Sequence, residues 1–378
     1  MLLAILVWAL YLNYDIGRSK RRGSSNCREK KKKKKKIISL EIDSISITDH
    51  LSNTILHISQ TLRASSMSNR TLSRYHEQEL LDLFINTFET DPEVLNPIIQ
   101  GVKAALYDRD YPTAFGTLQN LEAYVARWTP SRALAYAHLF SNLVESALYA
   151  PNNSNADNDK TKRILSIGGG AGAEIVGFGA IALLNHRGGK DRKLHVTAVD
   201  VAEWDPVVAK ISNYMNQNWA GNSGDKSNDA SLSLEEQLTN LSLIDTDEIK
   251  VDFINHDILT LPRDRLDFSK LDLITSMFTT NELFTASRAG TVNFLQSLTE
   301  CRKGTLLLFV ESAGSYSEVT VGTKKFPVHF LIHHVLSGNN SWELLSSTDS
   351  EWYRLPEDLS YPMQLENMRY FYRLYRRT

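Results

Sequence analysis

The chain has 378 residues and a formal net charge of −2, with 42% hydrophobic and 23% charged residues. This length and composition are typical of a globular protein with a sizeable core, and they exclude a fully disordered, collagen-like or multi-span membrane protein. The two cysteines, Cys27 and Cys301, are too few for a disulfide framework and form no C-x-x-C pair. They therefore indicate a reducing compartment, and we expect no metal site.

The near-neutral total conceals two parts of opposite charge. Residues 1–36 contain twelve basic and two acidic residues and carry +10, whereas the remaining 342 residues contain thirty basic and forty-two acidic residues and carry −12. Lys30 to Lys36 are seven consecutive lysines. Because like charges at this density repel each other, we predict a disordered basic tail over 1–40. It is suited to nuclear import or to attracting phosphate, although a solvated tail without a partner has the same composition.

The chain opens with an apolar run of twelve residues, MLLAILVWALYL. A membrane-spanning helix needs about twenty, and Asn13 to Asp15 interrupt this run. The basic residues follow the apolar run, whereas a signal peptide places them before it. We therefore expect no stable membrane insertion, with a short membrane anchor as the alternative.

The next part of the chain has helical periodicity. Leu80, Leu81, Phe84 and Phe88 repeat with a period near 3.6 residues. Two pairs, Asp91-Pro92 and Thr129-Pro130, each place a capping residue before a proline and predict helix starts, and 132–148 reads as another helix. We predict a helical region over 41–150, bounded by the polar, turn-rich linker 151–160.

Beyond the linker, short apolar strands alternate with helices. Strands are predicted at 163–167, 193–200, 251–256, 271–278 and 304–312, and helices at 172–185, 205–217 and 284–300. Continuous apolar strands separated by helices favour an α/β fold with a doubly wound parallel sheet. The segments 342–355 and 368–377 read as strands without a long helix between them, so they predict an antiparallel pair that closes the sheet. We assign 160–378 to this domain and 221–233 to a loop within it.

The strongest local motif is SIGGGAGAE, residues 166–174, where the first strand turns into a helix. Glycines there let the backbone approach a ligand and expose N–H groups at the positive end of a helix. The spacing of Gly168, Gly170 and Gly172 fits an S-adenosylmethionine loop, whereas Gly168, Gly170 and Ala173 fit a dinucleotide fingerprint. A glycine turn without a ligand is the third interpretation.

Two acidic residues follow the next two strands. Asp200 ends the second strand, where a carboxylate can accept hydrogen bonds from ribose hydroxyls. Asp257 follows the third strand and is placed to receive the exocyclic amine of adenine, with a turn cap as the alternative. The antiparallel strand pair at the C-terminus and the lack of a second catalytic lobe favour S-adenosylmethionine over NAD.

Several stretches are similar to one family: RALAYAHLF (132–140), ILSIGGGAGAE (164–174), VTAVDVAEW (196–204), LITSMFTTNELF (273–284) and LLLFVESAGSYSEV (307–319). They resemble the fungal Rossmann-fold methyltransferases that modify large-subunit (25S) rRNA at uridine N3. The resemblance covers roughly 75–378, while residues 1–40 do not match. It implies a Rossmann-like sheet and a nuclear or nucleolar enzyme. This enzyme would transfer methyl from S-adenosylmethionine to a uridine, with rRNA or a pre-ribosomal particle as its partner.

Methylation at uridine N3 is easier once the N3 proton leaves, so a general base is expected. FTTNELF follows the fourth strand, where Asn281 could hold a uracil edge and Glu282 could take the proton. A helix cap is the alternative for Glu282. Glu311 is a second base candidate, or a buried carboxylate that receives backbone N–H groups. Methylation at C5 of a pyrimidine needs a cysteine nucleophile. Cys301 precedes the fifth strand, away from its ligand-facing end, so we do not expect this chemistry.

Other residues suggest how substrate is held. Arg132 and Tyr136 lie one turn apart on one helix face, either as a lid over cofactor or RNA or as a packed helix. Either Arg373, Arg376 and Arg377 form a basic patch that overrides the acidic body, or the lysine tail and ribosomal partners supply the attraction. The core motifs also fit a methyltransferase acting on a protein or small molecule, or a non-catalytic ribosome-assembly factor with this fold.

Overall fold

The computed structural model describes residues 72–150, 161–187, 193–219, 249–314, 318–321, 324–338 and 340–378. The predicted basic tail, the linker 151–160 and the loop 221–233 lie outside these ranges. Within them, no helix is both long and apolar enough to cross a membrane. The same residues contain no group of three or more His, Cys, Asp or Glu placed to hold a metal ion.

In the described part of the helical region, short turns join the helices. Its helices are α1 (Arg74–Thr87), α2 (Pro92–Tyr107), α3 (Tyr111–Phe115), α4 (Leu118–Leu139) and α5 (Glu145–Leu148), with a π-helical turn at Phe140–Val144. Helix α2 starts as predicted, because the Asp91 side chain accepts a hydrogen bond from the Glu93 backbone N–H and Pro92 occupies the first turn.

The second predicted start, at Thr129-Pro130, is wrong, because Pro130 lies inside α4. A proline in a helix leaves the carbonyl four residues earlier without its N–H donor. Here that carbonyl belongs to Ala126, and the Tyr361 hydroxyl donates to it at 2.6 Å. Helix α4 continues through Pro130 because a residue from a distant loop supplies the missing hydrogen bond.

The α/β domain contains a seven-stranded sheet in the order β3-β2-β1-β4-β5-β9-β8. Its strands are β1 (Thr161–Ile167), β2 (Lys193–Asp200), β3 (Ile249–Asn255), β4 (Leu273–Met277), β5 (Leu306–Ser312), β8 (Trp342–Tyr353) and β9 (Met368–Arg377), with β6 (Glu318–Val321) and β7 (Lys324–Pro327) forming a separate hairpin. β1 to β5 pair in parallel, whereas β9 pairs antiparallel with β5 and β8. This arrangement confirms the predicted mostly parallel sheet with an antiparallel closing pair.

Helices cover both faces of the sheet. They are α6 (Ala173–Arg187), α7 (Asp205–Tyr214), α8 (Thr280–Ala286), α9 (Arg288–Ser297) and α10 (Val328–Ser337), and a π-helical turn, Met215–Trp219, extends α7. The single helix predicted at 284–300 is two helices, because the chain is extended at Ser287, whose hydroxyl accepts the Gly290 N–H and caps α9. Every residue of β4 is buried, as expected for a central strand with helices on both sides.

The helical region packs directly against the sheet's helices. Phe140, at the end of α4, stacks on Phe178 of α6 with ring centroids 4.3 Å apart. A side chain at Gly177 would crowd the Phe140 ring, so a glycine lets the two helices approach closely. This packing places the first half of α4 beside the carboxyl ends of the parallel strands, where ligands bind in open α/β sheets.

Candidate active site

The predicted glycine loop lies between β1 and α6. Gly168 and Gly172 have φ values of 71° and 85°, in the left-handed region that favours glycine. A Cβ at Gly168 would lie within 3.0 Å of the Thr279 hydroxyl, and one at Gly170 would overlap the Trp204 indole. Backbone conformation and close packing therefore both require glycines here, and the loop leads into the positive end of α6.

Asp200 is in contact with this loop. Its Oδ2 accepts a hydrogen bond from the Gly170 N–H at 3.1 Å, and its Oδ1 accepts one from the Ala202 N–H at 3.2 Å. Burial raises the pKa of Asp200 above its ordinary value. Asp200 therefore holds the glycine loop against the segment after β2. A contact from Asp200 to ribose hydroxyls stays a prediction.

Asp257 follows β3 beside Asp200. The His256 N–H donates to the Asp200 carbonyl at 2.9 Å, which ties the two strand ends together. The Asp257 Oδ1 accepts the Leu259 N–H at 2.9 Å and so forms the turn cap that was its alternative interpretation. The structure brings Gly170, Asp200 and Asp257 to one edge of the sheet, and a contact from Asp257 to adenine stays a prediction.

Glu282, in the first turn of α8, is joined to the helical region. The Tyr111 hydroxyl donates to its Oε2, and Arg109 lies 3.4 Å from the same carboxylate. The Asn281 amide donates to the Glu282 Oε1 at 3.4 Å. Arg109 has a φ of 57°, an uncommon conformation for a residue with a side chain. Asn281 and Glu282 are neighbours in the sequence, whereas Tyr111 and Arg109 lie more than 170 residues earlier and were not predicted.

Glu311 is a buried carboxylate that receives a backbone N–H group, the second of the two roles proposed for it. Its side chain is buried, and its Oε1 accepts the Asn281 N–H at 3.1 Å, at the start of α8. Burial raises the pKa of Glu311 to about 8. Cys301 is buried before the amino end of β5, and burial raises the pKa of its thiol to about 12, which is unsuited to a nucleophile.

Arg132 and Tyr136 lie in a buried polar cluster. Arg132 donates to the Tyr124 hydroxyl, and its guanidinium lies 5.7 Å from the ring centroids of both Tyr124 and Phe278. The Tyr136 ring stacks on Phe278 at 6.5 Å. Glu174, at the start of α6, is also buried, and burial raises its pKa to about 8.

Arg132 and Tyr136 were predicted from the sequence, whereas Glu174, Tyr124 and Phe278 were not. Glu174 ends the SIGGGAGAE motif, and an acid directly after a glycine loop is a usable signal. Phe278 could not be recognised as special, because its φ of 58° is visible only in the structure.

Helix α3 and the start of α4 cover the carboxyl edge of the sheet. Phe115 and Tyr124 lie against Trp204, with ring centroids 5.2 and 5.8 Å away. Tyr111 stacks on Phe115 at 6.4 Å and reaches Glu282 with its hydroxyl. The helical region thus bridges the segment after β2 and the segment after β4, across the glycine loop.

Two of the three arginines proposed for a C-terminal basic patch, Arg373 and Arg377, bind other residues of the fold, so the prediction is wrong for them. Arg373 donates to the Thr348 carbonyl at 2.7 Å and pairs with Asp349. Arg377 donates to the carbonyls of Thr299 and Ser341. The partners of Arg373 lie in the neighbouring strand β8, and those of Arg377 lie just before β5 and β8.

This sheet order, a glycine loop after β1 and a carboxylate after β2 define the class of Rossmann-like S-adenosylmethionine-dependent methyltransferases. A family model described as "Putative SAM-dependent methyltransferase" matches residues 81–376. The chain belongs to this family, and S-adenosylmethionine is its cofactor. The dinucleotide interpretation of the glycine loop is thereby excluded.

One curated relative and several solved structures are similar to the chain. The relative is the 25S rRNA (uridine(2843)-N(3))-methyltransferase of Saccharomyces cerevisiae, 38% identical over 332 residues, which cover 79% of this chain and 85% of the relative. A methyltransferase structure from Clostridium acetobutylicum is 10% identical, with a TM-score of 0.29, over 64% of this chain and 97% of that one. Phosphoethanolamine N-methyltransferase 2 of Haemonchus contortus, in complex with S-adenosylmethionine, is 11% identical, with a TM-score of 0.27, over 62% of this chain and 45% of that one.

Proposed function

We propose that the protein transfers a methyl group from S-adenosylmethionine to N3 of a uridine in large-subunit rRNA. The observation that carries the proposal is the 38% identity to the yeast 25S rRNA uridine-N3 methyltransferase over 85% of that enzyme's length. The family model, which matches residues 81–376, covers the α/β domain as far as residue 376.

The residues at the carboxyl edge fit the cofactor by their chemistry. The loop of Gly168, Gly170 and Gly172 has two glycines at positive φ and leads into the positive end of α6, and Asp200 beside it would receive the ribose hydroxyls. Asp257 would receive the adenine amine. When bound, S-adenosylmethionine supplies a methyl group on a positively charged sulfur.

We assign the cofactor's carboxylate to Arg132. Arg132 lies about one turn after Thr129 in α4, and the Thr129 hydroxyl donates to the Ala171 carbonyl of the glycine loop at 3.2 Å. A guanidinium binds carboxylates through paired N–H donors. Tyr136 and Phe278 support Arg132 through ring packing and keep this part of the site apolar.

We assign the general base to Glu282. Its side chain is 36% exposed, so a substrate can reach it. Glu282 would accept the N3 proton on a carboxylate oxygen as N3 bonds to the methyl carbon, whose bond to the sulfonium sulfur would break to leave S-adenosylhomocysteine. Tyr111 and Arg109 hold the carboxylate in place. Asn281, next to it, would receive one edge of the uracil ring.

We further propose that the protein acts in the nucleus, within the nucleolus, on rRNA or a pre-ribosomal particle. The run of seven lysines supports this location, because such runs serve nuclear import and attract phosphate. The name of the yeast relative supports the substrate.

Mass spectrometry of rRNA nucleosides from a strain that lacks the gene tests the proposal. We expect the loss of one N3-methyluridine and its return on re-expression of the wild-type chain. An unchanged nucleoside profile would contradict the proposal. Transfer of labelled methyl into total RNA, protein and metabolite fractions then identifies the substrate class, and label confined to protein or metabolites would establish an alternative methyltransferase activity.

A further inference from the structure

An exposed tryptophan with two arginines lies at the end of the sheet farthest from β3. Trp352, near the end of β8, is 47% exposed. The Arg354 guanidinium lies 4.1 Å from the Trp352 ring centroid, and that of Arg369 lies 5.9 Å from it. We call these three residues the Trp352 platform.

Both arginines of the platform keep their charge available. The Arg369 Nε donates to the Ser350 hydroxyl at 3.0 Å, and neither guanidinium forms a salt bridge with any residue that the structure describes. Several other arginines pair with carboxylates: Arg74, Arg109, Arg127, Arg302 and Arg373. The platform therefore presents two uncompensated positive charges on a body that carries −12 overall.

The platform lies at the same edge of the sheet as the candidate active site. β9 runs antiparallel to β5, and Ser312, the last residue of β5, pairs with Tyr370. Arg369 and its partner Trp352 are therefore just beyond the carboxyl end of β5. Three strand spacings of about 4.8 Å separate β4 from β8, so the platform lies roughly 14 Å along the edge from the start of α8.

We propose that the Trp352 platform binds the single-stranded RNA that flanks the target uridine, an inference that rests on the proposed function. The glycine loop and Asp200 occupy the β1 and β2 half of the edge, which leaves the β5, β9 and β8 half for substrate. An exposed indole stacks on a base, and guanidiniums stack on bases and pair with phosphates. A base can therefore contact the ring while the adjacent phosphates contact Arg354 and Arg369.

The test uses the full-length protein and a fluorescein-labelled single-stranded oligouridylate of about twelve nucleotides. Loss of one stacked base corresponds to a fivefold or greater rise in Kd, so we expect at least ~5-fold for Trp352→Ala. Trp352→Phe keeps a stacking ring and should restore most of the affinity. The Arg354→Ala and Arg369→Ala double variant should reduce the slope of log Kd against log salt by about 1.4, because each phosphate contact on a single strand contributes about 0.7.

Arg265→Ala is the matched control for charge. Arg265 is exposed on the segment that precedes β4, next to Arg263, which pairs with Glu300 before the amino end of β5. Arg265→Ala therefore removes one positive charge at the opposite edge of the sheet. Its effect on the Kd for RNA should be smaller than that of Arg354→Ala. All variants should bind S-adenosylhomocysteine with wild-type affinity in calorimetry, which shows that they are folded.

The outcomes separate this inference from the proposed function. One outcome is that the wild-type chain methylates rRNA, but the Kd and the KM of Trp352→Ala for RNA lie within twofold of those of Arg265→Ala. The platform inference is then wrong and the proposed function stands. If the wild-type chain transfers no methyl to rRNA, the proposed function fails and the inference fails with it. A raised KM for RNA with unchanged cofactor affinity supports the platform.

Discussion

Glu282 is the residue on which the proposed chemistry depends, and its surroundings are unusual for a helix cap. Its carboxylate contacts Tyr111 and Arg109, which belong to the helical region, as well as its neighbour Asn281. A carboxylate that merely stabilised α8 would have no need of these distant partners. The contacts fix the position of the side chain at the mouth of the site, as a general base requires.

Glu282→Gln should abolish most of the activity while leaving the cofactor site intact. The amide keeps the shape of the side chain but accepts no proton, so we expect kcat to fall by about 10²- to 10⁴-fold. Glu300→Gln is a matched control, because Glu300 is also an exposed glutamate paired with an arginine, before the amino end of β5. Single-turnover methylation of rRNA measures the effect, and wild-type rates for Glu282→Gln would remove Glu282 as the base.

Glu174 should make the stability of the protein depend on pH. Burial raises its pKa from 4.5 to about 8 in the folded state, so the folded state binds a proton that the unfolded chain releases near pH 4.5. The stabilisation is therefore complete below about pH 4.5 and is lost as the pH rises through 8. Glu174→Gln should lose less stability than the wild type between pH 5 and pH 8 in urea unfolding, and equal losses in the two proteins would contradict the assignment.

At the scale of elements, the sequence predicted what depends on local pattern. β2 and β9 have their predicted bounds, because apolar runs between polar turns define buried strands. The glycine loop was found for a similar reason, since its spacing and position after a strand are local. The position of Pro130 inside α4 was not predicted, because the donor to the Ala126 carbonyl is Tyr361, 235 residues later. The partners of Glu282 were missed for the same cause.

Gly170→Ala should disturb the cofactor loop. The new Cβ would overlap the Trp204 indole, which is itself buried against Phe115 and Tyr124, so the loop must shift. We expect the affinity for S-adenosylhomocysteine to fall at least ~10-fold by calorimetry, equivalent to about 1.4 kcal/mol.

Gly101→Ala is the matched control for this substitution. A Cβ at Gly101, inside α2, meets nothing within 4 Å. It should leave cofactor affinity unchanged and raise stability by about 0.5–1 kcal/mol, because alanine favours a helix. Equal cofactor affinities of the two variants would show that the loop tolerates a side chain.

The hydrogen bond that carries α4 through Pro130 can be measured by a double-mutant cycle. Tyr361→Phe removes the donor to the buried Ala126 carbonyl, and an unsatisfied buried acceptor costs about 1–3 kcal/mol. In the Pro130→Ala background, residue 130 regains an N–H that can donate to the same carbonyl, so Tyr361→Phe should cost less. Chemical unfolding of the four proteins gives the coupling, and a cost independent of the background would contradict this account.

At the scale of the whole molecule, the charge distribution poses the main problem for an RNA enzyme. The body carries −12, and several of the arginines expected to offset this bind carbonyls and carboxylates within the fold. The Trp352 platform contributes two charges near the site, which is too few to attract RNA over a distance. Residues 1–36, with a net charge of +10, are a further source of attraction.

Deletion of residues 1–36 should therefore separate RNA attraction from cofactor binding. Removing ten net positive charges should weaken the binding of rRNA and lower the slope of log Kd against log salt, because fewer counterions are released. Cofactor affinity should not change, since the glycine loop, Asp200 and Asp257 are more than a hundred residues away in sequence. Anisotropy with labelled rRNA at several salt concentrations and calorimetry with S-adenosylhomocysteine measure the two effects. A fluorescent fusion of the shortened chain should also lose nuclear enrichment. Unchanged salt dependence and unchanged localisation would show that the acidic body recruits its substrate without the tail, so that ribosomal partners supply the attraction.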